Sequence, residues 1–342
     1  MNLHNFKMLK IFFEKGGFKL FYYLYFFKES FKKKIVNSPK KLVFIISETD
    51  SGWILERISK EISFYFDGEV VIHKGNKLIP KGDIYFFMHY LLLLQSLRNN
   101  PNLLIKNIYC WFTHPGENYE KIKKELIWLI NFKVKIFSAC TLFKDMLISE
   151  GAKQKNIKVV IGGADENFFS QKVEKNTKKI GLCSAFYERK NPELILDLVT
   201  SCQDYQFILL GKNWENWGKF EDLNAFKNFE YIQLPYNKYP EFYQSIDIFL
   251  STSSLEGGPI PLIEAMMSGC KPVTSDTGFA KDLITDGENG VIFPINAKSS
   301  EVIECLKKSE RLKVENIRKS VLCYSWKKFS VNVNAELKNN LK

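Results

Sequence analysis

Residues 253–273 read SSLEGGPIPLIEAMMSGCKPV, with two glutamates, Glu256 and Glu264, flanking a Gly-Gly-Pro-Ile-Pro run. The apolar stretch DIFLST before it reads as a strand, so the chain must turn here and then begin a helix. Gly257 and Gly258 supply permissive backbone, and Pro259 and Pro261 suit a helix first turn, where a missing N–H costs little. Gly269 is placed to end that helix. Glu256 therefore lies in a loop at a strand's carboxyl end, and Glu264 lies in the opening turns of the helix. In an open parallel sheet ligands bind at the strand carboxyl ends, and a helix N-terminus there favours an anion.

Outward from this stretch the pattern is α/β. KLVFIIS (41–47) is a short apolar run, followed by ETDSGW and a helix-like ILERISKEI. Strands are expected at 69–73, 84–88, 108–114, 133–140 and 157–163, with helical patterns between them. SQKVEKNTKK (170–179) reads as a linker. The alternation then restarts with IGLCSAF, a helix from Pro192, YQFILLG, EYIQL, DIFLST, KPVTSD and GVIFP. Strand–helix alternation implies parallel sheets.

A chain of 342 residues suits two domains, and 45% hydrophobic with 25% charged residues describes a globular protein. The seven cysteines and four histidines are scattered, with no CxxC pair or other metal-type spacing, which argues for free thiols and against a metal site. No run reaches the ~18–20 apolar residues that cross a bilayer. The longest, IYFFMHYLLLL (84–94), reads as a buried strand entering a core helix. No signal-peptide layout is seen, and a cytoplasmic location is expected.

Of the net charge of +11, +8 sits in residues 1–41, so a nucleic-acid-binding body is not expected. Within that segment Leu20, Leu24, Phe27 and Phe31 recur at helical spacing among Lys19, Lys28 and Lys32 to Lys34. Two readings stay open: a helix lying on an anionic membrane surface, or a helix packed on the protein's own core with solvated lysines. Gly16-Gly17 is expected to split the segment.

Carboxylates at both ends of a phosphate-friendly turn suit an anion dressed with hydroxyls, such as a nucleotide-sugar. One glutamate would accept from a ribose and the other from a sugar. Capping carboxylates at both positions fit the residues equally well. The block 253–294 then resembles the signature region of family-4 (group 1) retaining glycosyltransferases of the GT-B fold. It has Glu256 and Glu264 with seven residues between them, followed by SGCKPVTSDTG and DGENGVIFP in order. YPEFYQSIDIFLSTS, VVIGGADENFF and ILLGKNW are similar to further family segments, so the likeness spans roughly 41 to 330.

The resemblance implies an α/β fold of two Rossmann-like domains with parallel sheets facing a central cleft. The expected division is an extension at 1–40, an acceptor domain at 41–170, a donor domain at 171–315, and at 316–342 a C-terminal helix packing back toward the first domain. It implies a metal-independent, retaining glycosyltransferase with no cofactor, moving a sugar from a nucleoside diphosphate to a glycan or lipid-linked acceptor. The expected setting is bacterial surface polysaccharide or lipopolysaccharide synthesis, peripheral at the inner face of the cell membrane. The alternatives are a nucleotide-sugar epimerase-like enzyme and a non-catalytic partner on the same fold.

Residue by residue, the likeness puts Glu256 at the donor sugar beside the reacting carbon and Glu264 on the donor ribose. Lys190 matches a family lysine for the diphosphate. The arginine usual five residues earlier is Ala185 here, and Arg189 is the substitute considered. Gly211 and Lys212 lie beneath the donor, and the backbone of Gly257, Gly258 and Ile260 faces the phosphates or sugar. Pro259 departs from the family's glycine and removes one N–H. His114, at the end of the strand in CWFTHPG, is a catalytic candidate near the donor sugar; a structural histidine is the other reading. Asp50, Ser51 and Gly52 are placed on the acceptor side. His73 and His89 are read as packing or surface residues.

Overall fold

The computed structural model describes residues 17–19, 22, 41–48, 54–116, 118–171 and 177–339. Asp50, Ser51 and Gly52, most of the 1–40 extension and part of the 170–179 linker lie outside these residues. The chain divides into two compact units, residues 1–160 with 329–342, and residues 161–328.

In unit 1 the order is β1 (Lys41–Ile46), α1 (Ile54–Phe64), β2 (Glu69–Lys74), β3 (Ile84–Phe87), α2 (Tyr90–Asn99), β4 (Asn107–Phe112), α3 (Tyr119–Phe132), β5 (Lys135–Ser138), α4 (Thr141–Ser149) and β6 (Ile157–Val159). The six strands are all parallel, in the order β2-β1-β3-β4-β5-β6. Central strands covered on both faces must be apolar throughout. Accordingly β3 is IYFF with every residue buried, and β1 buries five of its six. The 84–94 run divides as expected, β3 passing into the core helix α2. Of the extension, Phe18 and Tyr22 are buried; Tyr22 stacks on Trp128 at 5.6 Å and its hydroxyl donates to Glu125 Oε1 at 3.1 Å. That portion packs on its own core.

Unit 2 continues with β7 (Lys179–Cys183), α5 (Pro192–Ser201), β8 (Gln206–Leu210), α6 (Phe220–Asn224), β9 (Phe229–Ile232), α7 (Tyr239–Ser245), β10 (Ile248–Ser251), α8 (Ile260–Met267), β11 (Lys271–Ser275), α9 (Ala280–Leu283), β12 (Val291–Phe293), α10 (Ser299–Ser309) and α11 (Val314–Val321). Its parallel sheet has the order β12-β11-β10-β7-β8-β9.

The boundary falls at 160/161 rather than 170/171, for a physical reason. Ala164 pairs with Ser325, its N–H donating to Tyr324 O at 3.1 Å and its carbonyl accepting from Trp326 N at 3.2 Å. A Cβ on Gly163 would sit 2.7 Å from Ser325 C, so only glycine permits that approach. Arg318 donates to Phe169 O at 2.6 Å and to Glu166 O at 3.0 Å. These bonds tie 161–170 into unit 2. The expected 316–342 terminal segment is likewise divided. Residues to 328, including α11, which packs on α8, belong to unit 2, and α12 (Trp326–Asn339) enters unit 1 from Phe329. Phe329 meets Trp111 edge-on at 5.8 Å, and Asn334 Nδ2 donates to Ile62 O at 3.0 Å.

Candidate functional site

Strand order in unit 2 reverses between β7 and β10, which pair in parallel although far apart in sequence. Such a switch point leaves a crevice at the strand carboxyl ends. The loops entering it are 184–191 after β7 and 252–259 after β10. They are fastened to each other: Thr252 Oγ1 donates to Lys190 O at 2.7 Å, and Ser254 N donates to Arg189 O at 2.8 Å. Asn191, left-handed at φ 56°, turns the first loop into α5, with Pro192 in its first turn.

The crevice brings Glu256, Arg189 and Lys190 together. Glu256 is only 7% exposed, and its Oε1 accepts from Arg189 Nη1 at 3.1 Å and from Lys190 Nζ. Arg189 also donates to Leu255 O at 3.0 Å, and its guanidinium lies 4.9 Å from the centre of the Tyr187 ring. Burial by itself would raise the Glu256 pKa. The adjacent charges of Lys190 and Arg189 outweigh it and hold the carboxyl below its ordinary range. Arg189 thus stands as a second cation beside Lys190, with Ala185 in the expected arginine position.

Two hydroxyls of the SDTG run, to which the sequence reading gave no role, brace the backbone of the loop that carries this carboxylate. Glu256 N donates to Thr277 Oγ1 at 3.0 Å, and Ser275 Oγ donates to Ser253 O at 2.5 Å. Gly278 has φ 58°, and a Cβ there would lie 2.8 Å from Gly257 O, so the 275–278 turn presses directly on the Glu256 loop. The signal was the SDTG run itself, a hydroxyl pair before a glycine at a strand end.

Glu264 lies on α8 and is 2% exposed. Its Oε1 accepts from Tyr236 OH at 2.6 Å and its Oε2 from Tyr243 OH at 3.0 Å. Tyr243 is fully buried, and burial first, then Cys183 and Glu264, raises its phenol pKa well above the ordinary value. Cys183 at the end of β7 is pushed up to about 12, by burial and then by Glu264. Tyr236 is half-buried, stacked on Phe168 at 5.6 Å and 24°. Spacing alone carried no sign of these phenols, which come from α7 and from the loop after β9.

Gly257 and Ile260 are buried and Gly258 half-buried in the turn between the two glutamates; α8 starts at Ile260 with Pro259 as its cap and no side-chain cap bond. Gly211 is needed for packing, since a Cβ there would fall 1.9 Å from Ser184 O. Lys212 is exposed, and its carbonyl accepts from Phe186 N at 2.9 Å.

In unit 1, His114 follows β4, half-buried, with Nδ1 3.3 Å from Pro115 O. His89, read from sequence as packing or surface, follows β3 and caps α2, its Nδ1 accepting from Leu91 N at 3.1 Å. Burial, then the neighbouring His114, lowers its pKa to about 4. His73 on β2 is within 2.8 Å of Lys77 O. Among the described residues, no group of three or more His, Cys, Asp or Glu is placed to hold a metal ion, and no helix is long and apolar enough to cross a membrane.

A model of the family described as glycosyl transferases group 1 matches residues 148–320, half of the chain. No curated protein matches. Similar solved structures include HepE of Anabaena in complex with UDP and glucose, at 15% identity and TM-score 0.70, covering 88% of this chain and 99% of that one. Sucrose-phosphate synthase of Thermosynechococcus elongatus matches at 10% identity and TM-score 0.74, with the same coverage. The lipopolysaccharide outer core galactosyltransferase WaaB in its apo form matches at 14% identity and TM-score 0.67, again covering 88% and 99%. At these identities the likeness is one of fold: two α/β units, each built on a parallel sheet, as in GT-B glycosyltransferases.

Proposed function

We propose, for a chain that belongs to the group 1 glycosyl transferases, that it moves a sugar from a nucleoside diphosphate to a glycan or lipid-linked acceptor with retention of anomeric configuration. The observation that carries this reading is the convergence of Glu256, Arg189 and Lys190 at the β7/β10 switch point, with Glu264 on the helix that follows. The diphosphate takes Arg189 and Lys190 as its cations. Glu264 accepts from the ribose hydroxyls, and Glu256 turns to the donor sugar.

As the bond from the anomeric carbon to the β-phosphate oxygen breaks, its electron pair stays on that oxygen, where the two cations stabilise it. The acceptor oxygen bonds to the same face of the carbon, and its proton passes to the leaving phosphate. A divalent ion is not needed in this scheme. The complexes of HepE with UDP and UDP-glucose support a donor of this class. The concentration of lysine and aromatic residues in 1–41 supports a membrane-borne acceptor at the cytoplasmic face, in surface polysaccharide or lipopolysaccharide assembly.

A donor screen tests the proposal: UDP-, GDP- and ADP-sugars offered with crude lipid-linked acceptors, products resolved by mass. A mass increment of one sugar with release of nucleoside diphosphate is expected. Release of an altered free sugar without an acceptor product would point to an epimerase-like enzyme instead.

A further inference from the structure

The Glu264 carboxylate sits in a pair of phenols that differ in kind. Tyr243 is entirely buried, on α7, which packs against the central strand β7, and its bond to Oε2 is part of the core. Tyr236 is half-buried in the 236–238 turn after β9, and it donates to Oε1 at 2.6 Å. A phenol O–H and a ribose O–H are the same kind of donor to a carboxylate oxygen. Both cannot occupy one lone-pair direction of Oε1. Because Glu264 is almost wholly shielded from water, a donor lost from that oxygen is costly to replace, and the phenol's bond to it is one any ribose hydroxyl must match.

We propose that Tyr236 is a further determinant of donor affinity: its phenol and a ribose hydroxyl compete as donors to the same oxygen of Glu264. This rests on the reading of Glu264 as the ribose carboxylate. Tyr236 opens the one-turn 236–238 helix that leads directly into α7. Its ring is stacked on Phe168 at 5.6 Å and lies 6.1 Å from Phe169 and 5.0 Å from Tyr239, so the phenol that reaches Oε1 is carried by an aromatic cluster outside α8. The consequence is that ribose hydroxyls gain only the difference between their bond to Glu264 and the phenol's. The site therefore binds nucleotides less tightly than its carboxylate would allow.

The test is Tyr236→Phe, which keeps the ring and removes only the hydroxyl. UDP, ADP and GDP, each beside its 2′,3′-dideoxy form, are titrated calorimetrically into wild type, Tyr236→Phe and Glu264→Gln. The expected result is that Tyr236→Phe binds the ribose form about 10- to 100-fold more tightly, as loss of a competing hydrogen bond to a charged group implies, and binds the dideoxy form within about twofold of wild type. Equal or weaker binding of the ribose form by Tyr236→Phe overturns the assignment. If Glu264→Gln still weakens that ligand, the donor site itself stands. Failure of every ligand to bind wild type removes both readings together.

Discussion

Glu256→Gln separates the two tasks of the switch-point cluster, because it keeps the shape and removes the charge that two cations share. The Glu256 side chain is 9% exposed, Lys190 13% and Arg189 29%, so water screens this cluster only partly. At the 3.1 Å of the arginine contact, with an effective dielectric of about 20, one pair is worth roughly 5 kcal/mol, much of it offset by desolvation. Deleting the carboxylate leaves two cations facing each other. After allowance for the exposure of Arg189, this costs the empty protein about 3 kcal/mol, or roughly 6–12 °C in Tm for a unit of this size. A diphosphate then restores the missing negative charge. The variant should therefore bind UDP, ADP or GDP about 10-fold more tightly than wild type, equivalent to about 1.4 kcal/mol, and regain Tm on binding. Its glycosyl transfer should fall at least about 100-fold, the scale of losing one electrostatic group at a reacting centre. Calorimetry and thermal scanning on the two proteins, with and without nucleoside diphosphate, measure the first part; product mass measures the second. Nucleotide affinity that stays the same or drops in the variant would refute the shared-cation reasoning.

Glu264→Gln should weaken binding of a ribonucleoside diphosphate by about 10- to 100-fold, the value of a hydrogen bond to a charged group, and unchanged affinity by calorimetry ends its ribose role. His89 has its pKa lowered from 6.5 to about 4 by burial and by His114, so the unfolded chain takes up its proton first. Its contribution is complete above pH 6.5 and is lost as pH falls toward 4, by about 3 kcal/mol at most. His89→Asn keeps an oxygen to cap Leu91 N–H, so the stability difference between wild type and variant should move in the variant's favour from pH 7 to pH 4.5; a constant difference in urea unfolding contradicts this. Replacing Lys32, Lys33 and Lys34 by Gln leaves the buried Phe18 and Tyr22 untouched. At about 1 kcal/mol per lysine at an anionic surface, flotation with phosphatidylserine vesicles should drop about 100-fold in low salt, and undiminished flotation removes this segment from the membrane reading.

Much of the candidate site in unit 2 was legible from residue order. Gly-Gly-Pro-Ile-Pro between a strand and a helix announces a turn at a strand carboxyl end, and Lys190 before Pro192 announces a cation at a helix start. Unit 1 was less so. His89 was read as packing or surface, and it caps α2; its relation to His114 depends on β3 lying beside β4. The linker boundary was misplaced because the polarity of 170–179 is visible in the chain, whereas the bonds that tie 161–170 to Arg318 and Ser325 are not.

Apolar period and turn chemistry act between residues a few places apart, so sequence by itself determined two runs of parallel α/β units, the turn that separates Glu256 from Glu264, and the family likeness. What touches those glutamates was decided only in three dimensions. Arg189 and Glu256 are 67 residues apart, and Tyr236 and Tyr243 are 28 and 21 residues from Glu264. They meet because the sheet orders its strands β12-β11-β10-β7-β8-β9, setting the end of β7 against the end of β10 and bringing the turn after β9 and helix α7 to α8. A parallel sheet joins strands through crossovers, so neighbours in space are distant in the chain, and the charge and hydrogen-bond partners of each carboxylate follow from strand order rather than from spacing.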